Sequence, residues 1–572
     1  MSSLWSMLEG ASCEIPQKPL FVFPETRWNS AETLTYGQLA AKAAAAATVI
    51  AQVTEAGQRA LLLFPTGAAF WEAFFGCIAC GVIAVPLRTP NLNRVSDHLS
   101  EICRDCSPSV VLTDEKTAKL LAARIELHPE LGRLPVITPD QWRNEAAEFR
   151  FVSRGNDSIA FLQYTSGSTA RPKGVQISQA NLLANMTMIR DRMEARPYDD
   201  VAATWLPHYH DMGLVGSYLT ALFIKITSFC LPPDEFAIHP ARLLQLISDN
   251  KATSCGGPDF MYRLCTDKTT DEQLQGFDLS SWRIAYVGAE RIRAHTLQSF
   301  VDKFSPVGFR RSSFFPCYGL GESTLMVTGG PAKDEPVLRE VSATGLMQNQ
   351  IRQPDSPSDC TTLVGSGQTF EPSKVLILDT ATREVLADGM IGEVVVSGPS
   401  MTVGYFQCPD LNSELFSDVT VGDQVTSCLH TGDLGFLSNG ELFITGRSKE
   451  VMIIRGRNLS PEDVEQQIFT AHDSLVPGGA IAFSAEKNGE ECVIIAAELK
   501  RTAVRDPQAE SVFAAIRSRV SADFGVNPAD IFLLGPATIP RTSSGKPRRL
   551  AMRDLYLNGG FEFLLRDGEL LE

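Results

Sequence analysis

The 572-residue sequence predicts an α/β protein with mostly parallel sheets, followed by a smaller β-rich part and a compact C-terminal tail. Three observations predict it. Apolar strand-like runs alternate with helix-period segments from Tyr36 to Met193. Past Gly329 the texture changes to shorter strands separated by turn signals. Beyond Gly446-Arg447 roughly 120 residues remain, long enough for a domain of its own.

Taken in order, a helix is expected from Tyr36 to Ala51, where the window Ala40 to Ala47 is almost pure alanine, the best helix former. The apolar run Arg59–Phe64 reads as a strand, Ala68–Cys80 as a helix and Gly81–Pro86 as the next strand. Val110–Thr113, Leu134–Ile137 and Ile159–Tyr164 continue the strands, with helices at Lys116–Glu126 and Gln179–Met193. Short β-branched runs at Lys374–Leu378 and Gly392–Ser397 mark the β-rich part. In the tail, strands are expected near Val451–Ile454, Gly479–Phe483 and Cys492–Leu499, with helices at Pro461–Thr470 and Ala509–Phe524. The division that follows is residues 1–446 and 447–572.

Hydrophobic residues make up 44% and charged residues 21%, which excludes a mainly disordered or collagen-like chain. Lysine and arginine number 51 against 67 acidic residues, a net charge of -16, the wrong sign for general nucleic-acid binding. Anionic ligands therefore need a local positive site, and Arg541, Lys546, Arg548, Arg549 and Arg553 form one basic run; a solvated helix face is its plain alternative. Met1 to Gly10 lack the charged and apolar regions of a signal peptide. The longest apolar run, Phe74 to Leu87, is interrupted by Gly76, Gly81 and Pro86, so no transmembrane segment is expected. The 13 cysteines follow no framework spacing, as in a reduced cytoplasmic protein. Cys77/Cys80 and Cys103/Cys106 mimic a zinc spacing, but both pairs fall in helical, not turn-like, sequence and read as core cysteines.

The densest chemical signal is Tyr164-Thr-Ser-Gly-Ser-Thr-Ala-Arg-Pro-Lys-Gly-Val175. Hydroxyls and a glycine follow an apolar strand, so backbone N–H and side-chain OH groups can turn around a polyphosphate, with Lys173 adding charge. Neither a Walker loop nor a complete G-x-G-x-x-G is present, and there is no G-x-S-x-G elbow. His208, His210 and Asp211 invite a metal reading, but the spacing of a His-x-His-x-Asp-His site is missed by one place and no other histidine cluster exists.

The Tyr164–Val175 segment resembles the phosphate-binding signature of the adenylate-forming (ANL) superfamily, which activates carboxylates with ATP. Tyr318-Gly-Leu-Gly-Glu322, Thr431-Gly-Asp433, Gly446-Arg-Ser-Lys449 and Pro540-Arg-Thr-Ser-Ser-Gly-Lys546 resemble its further elements, in its order. Trp205-Leu-Pro-His-Tyr-His-Asp-Met-Gly-Leu214, Gly288-Ala-Glu290 and Arg455-Gly-Arg-Asn-Leu-Ser-Pro-Glu-Asp-Val-Glu465 resemble the fatty acyl-AMP ligases in particular. So does the long connection after Glu322, an insertion at about 331–362 containing the polar Gln348 to Cys360. In that family the insertion restrains the C-terminal domain and disfavours free coenzyme A.

The resemblance implies the ANL fold, a large three-subdomain body with a mobile lid hinged at Lys449. It also implies a reaction: fatty acid and ATP give acyl-adenylate and pyrophosphate, and the acyl group then passes to the phosphopantetheine thiol of an acyl carrier protein or a carrier domain of a polyketide or nonribosomal peptide synthetase. Joining two anions requires positioning and charge neutralisation. By family likeness Lys546 bridges the carboxylate and α-phosphate, and Glu322 holds Mg2+ with Thr165. The loop Ser166, Gly167, Ser168, Thr169 to Lys173 orients the outer phosphates. Asp433 takes the ribose hydroxyls with Arg447 nearby, Tyr318 and Gly319 lie at the adenine with Gly288, Ala289 and Glu290, and His210, Asp211, Met212 and Gly213 form the acyl entrance. The rivals are an acyl- or aryl-CoA ligase and a non-catalytic binder, although none of the charged groups is missing.

Overall fold

The computed structural model describes residues 3–27, 30–89, 97–143, 151, 154–165, 172–421, 423–454, 457–487, 490–505, 508–542 and 545–567. The elements Ala68–Cys80, Val110–Thr113, Lys374–Leu378, Gly392–Ser397 and Ala509–Phe524 have the expected bounds. The expected helix Lys116–Glu126 is instead Glu115–Ala123 followed by a single 3-10 turn, Ile125–Leu127. The strand expected at Leu134–Ile137 contracts to Val136–Ile137, because Pro135 has no N–H to give a ladder. An unexpected N-terminal helix, Leu4–Glu14, is capped by the Ser3 side chain and buries Leu4, Trp5, Leu8 and Ala11.

Among the described residues there are two large, mostly parallel sheets. One is eight-stranded, with the parallel strands Val201–Thr204, Ser254–Gly257, Ile284–Val287 and Phe314–Gly319 at its centre. The other is six-stranded and ends in the antiparallel pair Ile159–Thr165 and Lys173–Ser178. Helices Tyr36–Val53 and Ala68–Cys80 share a core with residues of both sheets, including Phe21, Leu62 and Phe161. The alanine run explains their close packing: a Cβ on Gly76 would lie 2.8 Å from Cβ of Ala46. Between small residues two helix backbones can approach more closely than side chains normally allow. Cys77 and Cys80 belong to this core, while Cys103 and Cys106 belong to a different one. Burial pushes the Cys103 and Cys106 thiols up to about 12, as expected of core cysteines and not of metal thiolates.

The β-rich part is a five-stranded antiparallel sheet in which Gln424–Ser438 pairs with Gly392–Ser397, Phe416–Val421 and Glu441–Arg447. From Met452 onward the chain closes a core of its own over a four-stranded sheet. Contacts that join this segment to the body include three hydrogen-bonded pairs. Nη1 of Arg291 donates to both Asp463 oxygens at 2.6 Å, Nη2 of Arg293 donates to the Glu462 carbonyl at 3.1 Å, and the Asn458 N–H donates to the Met347 carbonyl at 2.8 Å. Met347 lies on the expected insertion. That insertion is an ordered hairpin, Leu338–Ser342 against Cys360–Val364, and the side chain of Met347 packs on the C-terminal core. No helix among the described residues is long and apolar enough to cross a membrane.

Candidate active site

A cavity of about 1050 Å3 lies beyond the C-terminal ends of the central parallel strands, where an open α/β sheet places its ligands. The connections leaving Val201–Thr204, Ile284–Val287 and Phe314–Gly319 supply His210, Asp211 and Met212, then Ala289 and Glu290, then Gly319 and Glu322. Tyr318 also lines it. The β-rich sheet contributes Asp433 and Arg447, and the C-terminal segment contributes Lys546. Gly213, Gly288, Lys173 and the exposed Lys449 do not line the cavity. Ser166 to Thr169, Ala170 and the side chain of Thr165 lie outside the described residues, so of the expected phosphate loop only the flanking strands are described.

Backbone geometry explains the glycines here. A Cβ on Gly319 would meet the Leu325 carbonyl oxygen at 1.8 Å, and on Gly288 the Cys317 oxygen at 2.5 Å. Ala289, the next residue, has φ +65°, a conformation that alanine seldom adopts and that concentrates at functional sites. Asp433 sits within an irregularity of the sheet: Glu393 faces Leu434 and Val395 faces His430, so Thr431, Gly432 and Asp433 bulge out opposite Val394. Gly432 supplies the left-handed φ of +70°. The Thr431 hydroxyl closes the bulge, donating to the Val394 carbonyl at 2.6 Å and accepting from the Asp433 N–H at 3.0 Å.

Asp433 is nearly buried and each of its oxygens has one protein donor: Nε of Arg447 at 2.9 Å and the Tyr318 hydroxyl at 2.6 Å. A carboxylate has about four acceptor sites, so capacity remains for ligand hydroxyls. Burial and the neighbouring Asp433 push the Tyr318 hydroxyl far up, which keeps it a donor. Tyr318 is therefore tied to the carboxylate, a contact its sequence position did not suggest. Glu322 accepts at Oε1 from the Tyr405 hydroxyl at 2.8 Å, and the Lys173 ammonium lies 5.0 Å from the centre of the same Tyr405 ring.

The two histidines separate cleanly. His208 is buried against Phe70, with ring centres 4.1 Å apart, and burial lowers its pKa to about 3. It is a core histidine. His210 faces the cavity, its Nδ1 2.7 Å from Asp211. Burial raises the Asp211 pKa, but His210 and the Met212 N–H at 2.6 Å outweigh it and leave it below the usual range. Of the apolar stretch Leu214 to Phe223, Leu214, Val215, Tyr218, Leu219 and Leu222 are core, and Gly216 reaches the cavity.

Lys546 ends a tight loop in which its N–H donates to the Thr542 hydroxyl at 3.0 Å and its carbonyl accepts from the Thr542 N–H at 2.8 Å. Burial and Arg447 lower the pKa of its ammonium, while Glu290, Asp211 and Asp433 act in the opposite direction. Glu290 accepts from the Phe260 N–H at 2.8 Å, and burial with the nearby Asp259 pushes it up to about 7. The rest of the basic run divides. Arg549 is buried in a bidentate pair with Glu465, both bonds 2.7 Å, so that residue is structural, whereas Arg553 is exposed. Sequence reasoning missed Tyr405, Glu290 as a buried carboxylate facing the lysine, and Arg291. No motif marks Tyr405 or Arg291, and Gly288-Ala-Glu290 marked Glu290 only as part of a turn.

A parallel α/β body, a sheet carboxylate and a C-terminal lysine meeting in one cavity define an enzyme of the adenylate-forming class. The chain belongs to the AMP-binding enzyme family, which it matches over residues 11–406. The medium-chain-fatty-acid–[acyl-carrier-protein] ligase JamA of Moorena producens (strain JHB) is 35% identical over 568 residues, covering 98% of this chain and 95% of JamA. A Mycobacterium tuberculosis (strain CDC 1551 / Oshkosh) protein provisionally named a fatty-acid–CoA ligase, fadD25, is 32% identical over 579 residues, 98% of each. A solved structure from work on fatty acyl-adenylate ligases of E. coli and L. pneumophila superposes with a TM-score of 0.88 at 33% identity, 98% of each chain covered.

Proposed function

We propose that this enzyme joins a fatty acid to ATP, releasing pyrophosphate, and passes the acyl group from the adenylate to the phosphopantetheine thiol of a carrier protein or a carrier domain of a polyketide or nonribosomal peptide synthetase. One observation carries the reading: Lys546, the Asp433–Arg447–Tyr318 cluster and Glu322 converge on a cavity that also has apolar walls at Ile189, Met193, Met326 and Leu363. Likeness to JamA supports the fatty-acid substrate and the carrier.

In this reading a carboxylate oxygen attacks the α-phosphorus and the bond to the pyrophosphate leaving group breaks. Lys546 neutralises both approaching anions, a task for a cation held in a partly desolvated site. Asp433 takes the ribose, Tyr318 and the Gly288–Glu290 turn flank the base, the loop Ser166 to Lys173 orients the outer phosphates, and Thr165 assists Glu322 with the metal. Glu322 fits Mg2+, which binds through one or two carboxylates and keeps phosphate oxygens and waters as its other ligands; when bound it supplies positive charge to the phosphates. Residues 447–572 act as a lid turning at Lys449, and the Met347 contact restrains it, which supports preference for a carrier over free coenzyme A.

The test is mass spectrometry of products from a fatty-acid panel, with coenzyme A and a phosphopantetheinylated carrier protein offered separately, alongside pyrophosphate release. Acyl-carrier product with little acyl-CoA is expected. Acyl-CoA as the main product would replace the reading with that of a coenzyme A ligase, and no pyrophosphate at any chain length would sink it.

A further inference from the structure

Tyr405 touches two of the phosphate-handling groups at once, although it comes from a third part of the chain. Its hydroxyl donates to Oε1 of Glu322 at 2.8 Å, and its ring face lies 5.0 Å below the Lys173 ammonium. The backbone explains how it is placed. Gly404 has φ +126°, and a Cβ there would meet Oδ1 of Asn412 at 2.6 Å. That amide instead brackets Tyr405, accepting from its N–H at 2.7 Å and donating to its carbonyl at 2.9 Å. Tyr405 then bridges to Val175, and the Phe406 N–H donates to the Gly174 carbonyl at 2.8 Å. The tyrosine is thus laid along the strand that begins at Lys173 and is almost fully buried.

We infer that Tyr405 is a positioning residue that couples the two ends of the phosphate site, its hydroxyl orienting Glu322 and its ring holding Lys173. This rests on the roles proposed above for Glu322 and Lys173. The hydroxyl occupies one carboxylate oxygen and so fixes the direction in which the other faces. The negative ring face favours a cation above it and restricts where the long lysine side chain can go. The two functions reside in different atoms of one side chain, so two substitutions separate them.

Calorimetric titration of the full-length enzyme with ATP and with AMP, each with and without Mg2+, reads the two functions apart from turnover. Tyr405→Phe keeps the ring and loses the O–H donor. It should raise the Mg2+ concentration that half-maximally promotes ATP binding by about tenfold, as expected for losing a hydrogen bond to a charged group, and leave Mg2+-free ATP affinity unchanged. Tyr405→Leu should in addition weaken Mg2+-free ATP binding by about two- to fivefold, the range of an exposed cation–π contact, without changing AMP affinity. Wild-type Mg2+ dependence in Tyr405→Phe would overturn the inference, and so would a Tyr405→Leu enzyme that loses AMP and ATP affinity equally. Pyrophosphate release by the wild type with fatty acid is scored separately, so failure of the proposed reaction is distinguishable from failure of this coupling.

Discussion

At the scale of single residues the proposed chemistry rests on Lys546. Removing one donor to a developing transition-state charge costs about 100-fold or more, so Lys546→Ala should slow single-turnover pyrophosphate release by that amount. An unchanged rate would refute its role. The surroundings of the lysine also set a pH dependence. Its charged form is the active one, and burial with Arg447 lowers its pKa, so the rate should fall at a pH below the ordinary lysine range as the proton is lost. Glu290 favours the charged form; Glu290→Gln should therefore move the basic limb of the kcat/KM profile to still lower pH, and a limb that stays in place would remove Glu290 from the lysine's environment. Lys546, Glu322, Asp433 and Arg447 were legible in the sequence because each sits in a motif. Glu290 was legible only as part of a turn. Its raised pKa comes from Asp259 and from burial, neither of which is visible in a local spacing.

At the scale of elements, glycines show how position decides the sign of a substitution. Gly10 lies inside the helix Leu4–Glu14 with nothing within 4 Å of a built Cβ. Gly10→Ala should stabilise the protein by about 0.5 to 1 kcal/mol, since glycine loses more backbone freedom on folding. At Gly319 the same change drives a methyl into the Leu325 carbonyl. Overpacking of this kind costs about 1 to 3 kcal/mol, so Gly319→Ala should lower the thermal midpoint by about 1 to 2 °C and reduce activity. Differential scanning calorimetry of both variants checks the pair, and equal midpoints would contradict it. From Tyr36 to Met193 and in the C-terminal segment, helix and strand existence followed from periodicity and composition, whereas the central strands of the eight-stranded sheet were not anticipated. The helix Leu4–Glu14 was missed although Ser3 caps it, because four buried residues in a short segment leave a weak pattern. The bulge at Thr431–Asp433 was visible as a motif and not as a bulge, since only pairing with Gly392–Ser397 reveals the extra residues.

At the scale of the whole molecule, the contact of Met347 with Asn458 and the C-terminal core is where coenzyme A selectivity should be decided. The polar run Gln348 to Cys360 marks the insertion in the sequence, and its apolar predecessor, Met347, touches the C-terminal segment. Met347→Asp, and separately deletion of Gln348 to Cys360, should raise acyl-CoA formation relative to carrier loading, read as the ratio of the two products by mass spectrometry. An unchanged ratio in both would make the hairpin an ordinary surface connection. The net charge of -16 remains compatible with a polyanionic substrate because Lys173, Arg447 and Lys546 are gathered near one cleft. By itself the sequence determined the α/β class, the elements from Tyr36 to Met193 and in the C-terminal segment, and the charged groups of the motifs, because these depend on residue type and short spacing. Only the tertiary structure decided that His208 is core while His210 faces the cavity, that Arg549 is a buried structural pair while Lys546 reaches the site, and that Tyr405 joins Glu322 to Lys173. Burial and contact between segments hundreds of residues apart are properties of packing, and no local pattern encodes them.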